Sequence, residues 1–174
     1  MEENELIELA KKGDETAFDE LIEKYGEKIF TEAYYLMGNR EDAMDISQLV
    51  FLRIFLGIKH FKGESKLSTW IYRITINTAL RELKKRSRKP PIDDSFDVDP
   101  QDEVIRHDEQ SIALVALDKL PQQYRAIIVM RELNDMSFKD IAQSLGISVN
   151  LAKVRAFRAK QKFKATVEEI ENGK

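Results

Sequence analysis

FKGESKLSTWIYRITINTALRELKKRSRK, residues Phe61 to Lys89, is the stretch on which the reading of this chain turns. A polar, glycine-containing segment runs into a long amphipathic repeat that ends in a cluster of positive charge. Ser68 stands ahead of the periodic run and nothing from Thr69 to Arg88 breaks a helix, so the spacing predicts about five turns. At 3.6 residues per turn, Tyr72, Ile76, Ala79, Leu80 and Leu83 fall on a core face, while Trp70, Ile74, Asn77, Arg81, Lys85 and Arg88 fall on another. That second face carries an aromatic at one end, an amide in the middle and cations at the other. Such an order suits a junction between single- and double-stranded nucleic acid: aromatics stack on unpaired bases, an amide bonds a base edge and cations sit on phosphates. The plainer reading makes Trp70 and Ile74 core residues beneath a neighbouring helix, with a solvated basic end.

The composition narrows the classes of function. A chain of 174 residues with ordinary apolar content makes one medium domain or two small ones. It has no cysteine, which removes disulfides, Cys-based zinc sites and a thiol nucleophile, and His60 and His107 are its only histidines. The acidic, polar N-terminus is unlike a secretory signal, and the longest apolar run, Leu49 to Ile58, is interrupted by Arg53 and too short to span a bilayer. A cytoplasmic protein without a membrane segment is expected. The net charge of -3 is unevenly spread: Arg81 to Lys89 holds six basic residues against Glu82, and Leu151 to Lys164 holds six with no acid. Local basic patches govern phosphate binding more than the total does.

Taken in order, Gly13 and Asp14 separate a short first helix from a second carrying Phe18, Leu21, Ile22, Tyr25, Ile29, Ala33 and Leu36, which should end near Met37 before a Gly38-Asn39 turn. A third helix from about Arg40 has Ala43, Ile46, Val50 and Ile54 as its inward stripe. Leu49, Leu52 and Leu56 add a second apolar stripe, so this helix is either buried centrally or meets a partner protein. Between Lys89 and Glu103, three prolines and a run of acids predict an extended linker, either an inert tether or a strand for a basic channel.

Beyond the linker, Ile112, Val115, Ala116 and Leu120 suggest a helix, and Pro121 suits the first position of the next, which carries Tyr124, Ile127, Ile128 and Arg131. In MSFKDIAQSLGISVNLAKVRAFRAKQKFK, Ser137 is placed to cap a short helix with Ile141 and Leu145 inward, Gly146 to make the turn, and Ser148 to cap a basic helix reaching about Lys164. Ala142 permits close crossing and Ile147 plugs the turn. This is the pattern of a helix-turn-helix, with a plain helical hairpin as the alternative.

The set resembles the extracytoplasmic-function (ECF) sigma factors, the small two-domain group of the bacterial sigma-70 superfamily, over almost the whole chain. EDAMDISQLVFLRIF, Glu41 to Phe55, is similar to the family's helix for core RNA polymerase; FKGES with STWIYRITIN is similar to the loop and helix that melt and read the -10 element; LPQQYRAIIVMRELNDMSFKDIAQSLGIS, Leu120 to Ser148, is similar to the -35-reading domain. Three departures stand out. Leu49 follows the glutamine where the family commonly has Glu, Asn150 to Arg155 replaces the common Gly-Thr-Val-Lys-Ser-Arg, and the linker matches only in character.

The resemblance implies an all-α protein of two small helical domains, residues 1–89 and 109–174, joined by the acidic linker at 90–108. It implies core-polymerase contacts at Asp45, Gln48, Leu49 and Leu52. It implies -10 contacts by Phe61, Lys62, Gly63, Glu64, Ser65, Lys66 and Leu67 in a base-capturing loop, with Trp70, Asn77, Arg81, Lys84, Lys85 and Arg88 beyond it. The -35 duplex would meet Ser148, Asn150, Lys153, Arg155 and Arg158. The expected partners are core RNA polymerase, promoter DNA that is double-stranded at -35 and melted at -10, and an anti-sigma factor. No catalytic residue, metal or cofactor is expected, since nucleotide addition belongs to the polymerase. A stand-alone helix-turn-helix regulator is the rival reading.

Overall fold

The computed structural model describes residues 2–87 and 110–173; Arg88 and the linker at 90–108 lie outside the described residues. Within them every regular element is helical. Helix α1 spans Glu3–Lys11 and α2 Glu15–Met37, with the Asp14 carboxylate accepting the Ala17 amide at 3.0 Å to start the second. Gly38, at φ 83°, ends α2 in the left-handed region that favours glycine. The Asn39 side chain then accepts from the Asp42 amide at 2.9 Å and starts α3, Arg40–Gly57. A short 3-10 turn, Ile58–His60, leads through the polar loop to α4, Leu67–Ser87.

The second half contains α5, Gln110–Asp118, and α6, Gln122–Ile128, which widens into a π turn at Val129–Leu133. Helices α7, Phe138–Leu145, and α8, Val149–Asn172, follow. Both of these have the expected serine caps: Ser137 accepts from the Asp140 amide and Ser148 from the Leu151 amide, each at 3.1 Å. Gly146, at φ 65°, makes the turn between them.

Three expectations need correction. Helix α4 begins at Leu67, where the Trp70 amide bonds the Lys66 carbonyl, so Ser68 lies inside the first turn. Pro121 precedes α6 in extended backbone, and its carbonyl accepts the Tyr124 and Arg125 amides. Helix α8 continues eight residues beyond Lys164. Its Ala159 and half-buried Phe163 pack on Leu117 and Leu120 just before that point, and Thr166 is buried in the turns beyond it.

The core is continuous through both halves. Leu21, Ile29, Ala33 and Leu36 of α2 pack with Ile46, Val50 and Ile54 of α3 and with Ile71, Tyr72, Ile76 and Ala79 of α4. Ile127, Met130, Ile141 and Ala152 of the second half join the same cluster. Each fully buried Ile or Leu stabilises by about 1.5–3 kcal/mol. The second stripe of α3 stays outside this core: Leu49, Leu52 and Leu56 are exposed, Leu56 at 62%. Of the two readings of that helix, central burial is ruled out.

Polar contacts stitch the seam between the halves. The Arg73 guanidinium of α4 pairs with the Asp140 carboxylate of α7. Arg125 of α6 reaches the Leu36 carbonyl of α2. Asp118, at the end of α5, lies so close to Gly38 that a Cβ there would meet its Oδ1 at 3.1 Å. Glu32 of α2 is buried beside Asn134, with neither side chain in a well-formed hydrogen bond.

Candidate nucleic-acid interface

The two faces of α4 divide largely as its spacing requires, although Leu80 and Leu83 of the expected core face are only half-buried. Ile71, Tyr72, Thr75, Ile76, Thr78 and Ala79 are buried, whereas Trp70, Ile74 and Asn77 are half-buried and Arg81 is exposed. Trp70 lies against Phe61, with ring centroids 5.3 Å apart, and over Gly57, where a Cβ would meet the indole at 3.3 Å. Glycine at 57 therefore leaves room for the six-membered ring of the indole against the end of α3, and Trp70 remains half-buried. Phe61 itself is buried at 7% exposure and Leu67 at 1%. Both side chains are thus buried in the free protein, Phe61 against the Trp70 indole, and Phe61 still lines the cleft beside Lys62 and Glu64. Lys62, Gly63, Glu64 and Lys66 are exposed and Ser65 half-exposed, with Gly63 at φ 72° making the bend.

The cationic end is partly neutralised. Lys85 pairs with Glu82, and Arg86 grips both oxygens of Asp42, holding that carboxyl below its ordinary range. Arg81 keeps an exposed guanidinium. A shallow groove of about 480 Å³ runs along this face, with Trp70, Asn77 and Arg81 on one wall. Arg53, His60 and Arg73 also line it, and sequence reasoning did not single them out. Arg73 was recoverable, since it falls three residues after Trp70 and four before Asn77. Arg53 was not, because only the packing of α3 against α4 brings it there.

In the second half, Ser148 spends its hydroxyl oxygen on capping α8, while Asn150, Lys153 and Arg158 project from the exposed first turns. Arg155 is half-buried. It lines a cleft of about 570 Å³ shared with Asn77, Arg81 and Lys84 of α4 and with Ser144 and Ile147 of the helix-turn-helix. A second shared cleft sets Lys62, Glu64 and Trp70 opposite Ser137, Lys139 and Asp140. The two candidate DNA surfaces thus face one another across the seam.

Residues 21–89 match the family described as Sigma-70 region 2, and residues 111–163 match Sigma-70, region 4. The chain is 30% identical over 175 residues to the RNA polymerase sigma-H factor of Pseudomonas aeruginosa, covering 92% of this chain and 91% of that one. The chain belongs to the sigma-70 family. The ECF RNA polymerase sigma-E factor of Escherichia coli K12 is likewise 30% identical over 176 residues, covering 90% of this chain and 89% of the relative, which sets the sigma factor in the ECF group. Its fold is shared by the structure of CnrH in complex with the cytosolic domain of CnrY, with a TM-score of 0.69 at 24% identity, covering 94% of this chain and 95% of that one. Among the described residues of this sigma factor, no helix is long and apolar enough to cross a membrane.

Proposed function

We propose that this ECF sigma factor divides its work among three surfaces. The exposed side of α3, with Asp45, Gln48, Leu49 and Leu52, docks on core RNA polymerase. The groove side of α4 takes the melted -10 strand, with Trp70 stacking at the junction, Asn77 reading an extruded base and Arg81, Lys84 and Lys85 on the backbone; Arg88 continues that line by sequence. Asn150, Lys153, Arg155 and Arg158 meet the -35 duplex, with Ser148 setting the helix that presents them. Base extrusion costs a few kcal/mol, which stacking and edge bonds offset.

The observation that carries the reading is the sidedness of α4: one face packs on the core, and the other keeps an indole, an amide and a guanidinium along one groove. The protein acts in the cytoplasm, supplies no catalytic group, and is held in check by an anti-sigma factor. The last point draws support from a fold relative solved in complex with the anti-sigma factor NepR, from Bartonella quintana. The stand-alone regulator leaves the uncovered leucine stripe of α3 without a task.

The test is transcription by purified core polymerase with and without this protein on a genomic promoter library, sequencing the RNA starts. New starts that share two spaced upstream elements are expected. No binding to core and no new starts would return the regulator to first place.

A further inference from the structure

We propose that Arg53 is a phosphate ligand for the single DNA strand in the α4 groove, with Thr78 as the residue that positions it; the inference deepens the -10 reading above and rests on it. Arg53 comes from α3 and lines the groove together with Asn77 and Arg81 of α4. Its Nη1 donates to the Thr78 Oγ1 at 3.0 Å. Thr78 is fully buried, and its own hydroxyl proton is spent on the Ile74 carbonyl at 2.6 Å. A hydroxyl has one proton to give, so this oxygen faces Arg53 purely as an acceptor. The guanidinium is therefore held in one orientation while its remaining N–H groups stay available.

What Arg53 lacks is an anion. Arg73, Arg86 and Arg125 all pair with carboxylates, yet among the described residues no carboxylate pairs with Arg53, although it is half-buried. A preorganised, partly desolvated guanidinium without a counterion matches the bidentate geometry of a phosphate. The neighbours choose among anions: an open indole and an amide along the same groove suit the bases of an unpaired strand, and Arg81 provides a second backbone cation. The groove is lined only by α3, α4 and the turn between them, so it is open while the two halves are packed together.

The experiment uses the full chain and a fluorescein-labelled oligothymidylate, reading anisotropy across a range of salt concentrations. Arg53→Gln keeps a donor for Thr78 but removes the charge, and should weaken binding and reduce the log-log salt slope by about 0.7, the value of one single-strand phosphate contact. Arg53→Lys should retain the slope but bind more weakly, because a point charge replaces a fork. Thr78→Val, nearly isosteric, should also weaken binding at unchanged slope. An Arg53→Gln protein with native circular dichroism and an unaltered slope would overturn the assignment, as would a wild-type chain that does not bind the oligonucleotide. The transcription experiment separates the two levels. New starts from wild type together with an unaltered Arg53→Gln slope reject Arg53 alone, whereas no starts reject the reading beneath it.

Discussion

The Arg125 guanidinium of α6 donates to the Leu36 carbonyl at the end of α2, 2.9 Å away across the seam between the two halves. The same group donates to the Leu117 and Asp118 carbonyls at the end of α5, at 2.9 and 2.7 Å, and to the Asp118 carboxylate. Helix C-termini leave carbonyls without partners and carry partial negative charge, so one buried cation satisfies two helix ends at once. Replacing Arg125 by Met should cost about 3 kcal/mol, because the buried carbonyls lose their donors. Arg125→Lys should recover only part of this, lacking the fork that reaches four acceptors. Denaturant unfolding measures both; a loss for Arg125→Met below about 0.5 kcal/mol, the ordinary range of surface changes, would contradict the clamp.

Glu32 predicts a pH dependence of opposite sign to that of a paired carboxylate. Burial pushes its carboxyl up to about 8, with Asn134 and the Lys28 ammonium pulling weakly the other way. Below the unfolded value of 4.5 the group is protonated in both states and costs nothing extra. As pH rises toward 8 the unfolded chain ionises while the folded one holds its proton, so stability falls by about 1.4 kcal/mol per unit across that window. Above it the penalty is constant. Glu32→Gln, which stays neutral, should match wild type near pH 4.5 and exceed it increasingly toward pH 8. Unfolding curves taken across this range decide the matter, and an equal gap at every pH would refute it.

Gly38 and Gly13 provide a matched pair. Both have positive φ, at 83° and 86°, so alanine at either should cost about 1 kcal/mol in backbone strain. A Cβ at Gly13 meets nothing within 4 Å, whereas one at Gly38 presses on the Asp118 carboxylate that pairs with Arg125. Gly38→Ala should therefore be the more damaging, and Arg125→Met should erase the difference between the two glycine variants. A double-mutant cycle measures this coupling; additive losses would place the seam contact elsewhere.

Periodicity made the helices of this chain legible before any coordinates. The 3.6-residue spacing in α2 and α3, the serine caps of α7 and α8, and Gly38 and Gly146 as stops are local signals carried by single residues. The features missed depend on partners far away in sequence. Arg125 looks like one more helix cation until Leu36 is set beside it, and Glu32 stands on the buried side of α2 because the second half of the chain covers it. The burial of Phe61 is another such case: it stands in a polar loop, and only the contact with Trp70 nine residues on shows that it is covered.

The Arg73–Asp140 ion pair joins the candidate -10 helix to the first turn of the helix-turn-helix. Both groups are mostly shielded, at 21% and 25% side-chain exposure, so the pair should hold the halves together by about 1 kcal/mol. Packed in this way, Arg155 shares its cleft with Asn77, Arg81 and Lys84, and a duplex cannot enter there without parting them. Asp140→Asn keeps an oxygen for the Ser137 hydroxyl that bonds it, and so spares the cap while removing the charge. The variant should bind duplex DNA more tightly than wild type, by about fivefold if the full 1 kcal/mol is released. Fluorescence anisotropy with a labelled duplex measures the affinity, and distance measurements between labels on α4 and α8 measure the opening. Tighter binding without a longer distance would mean that loss of a negative charge, rather than release of the seam, produced the gain.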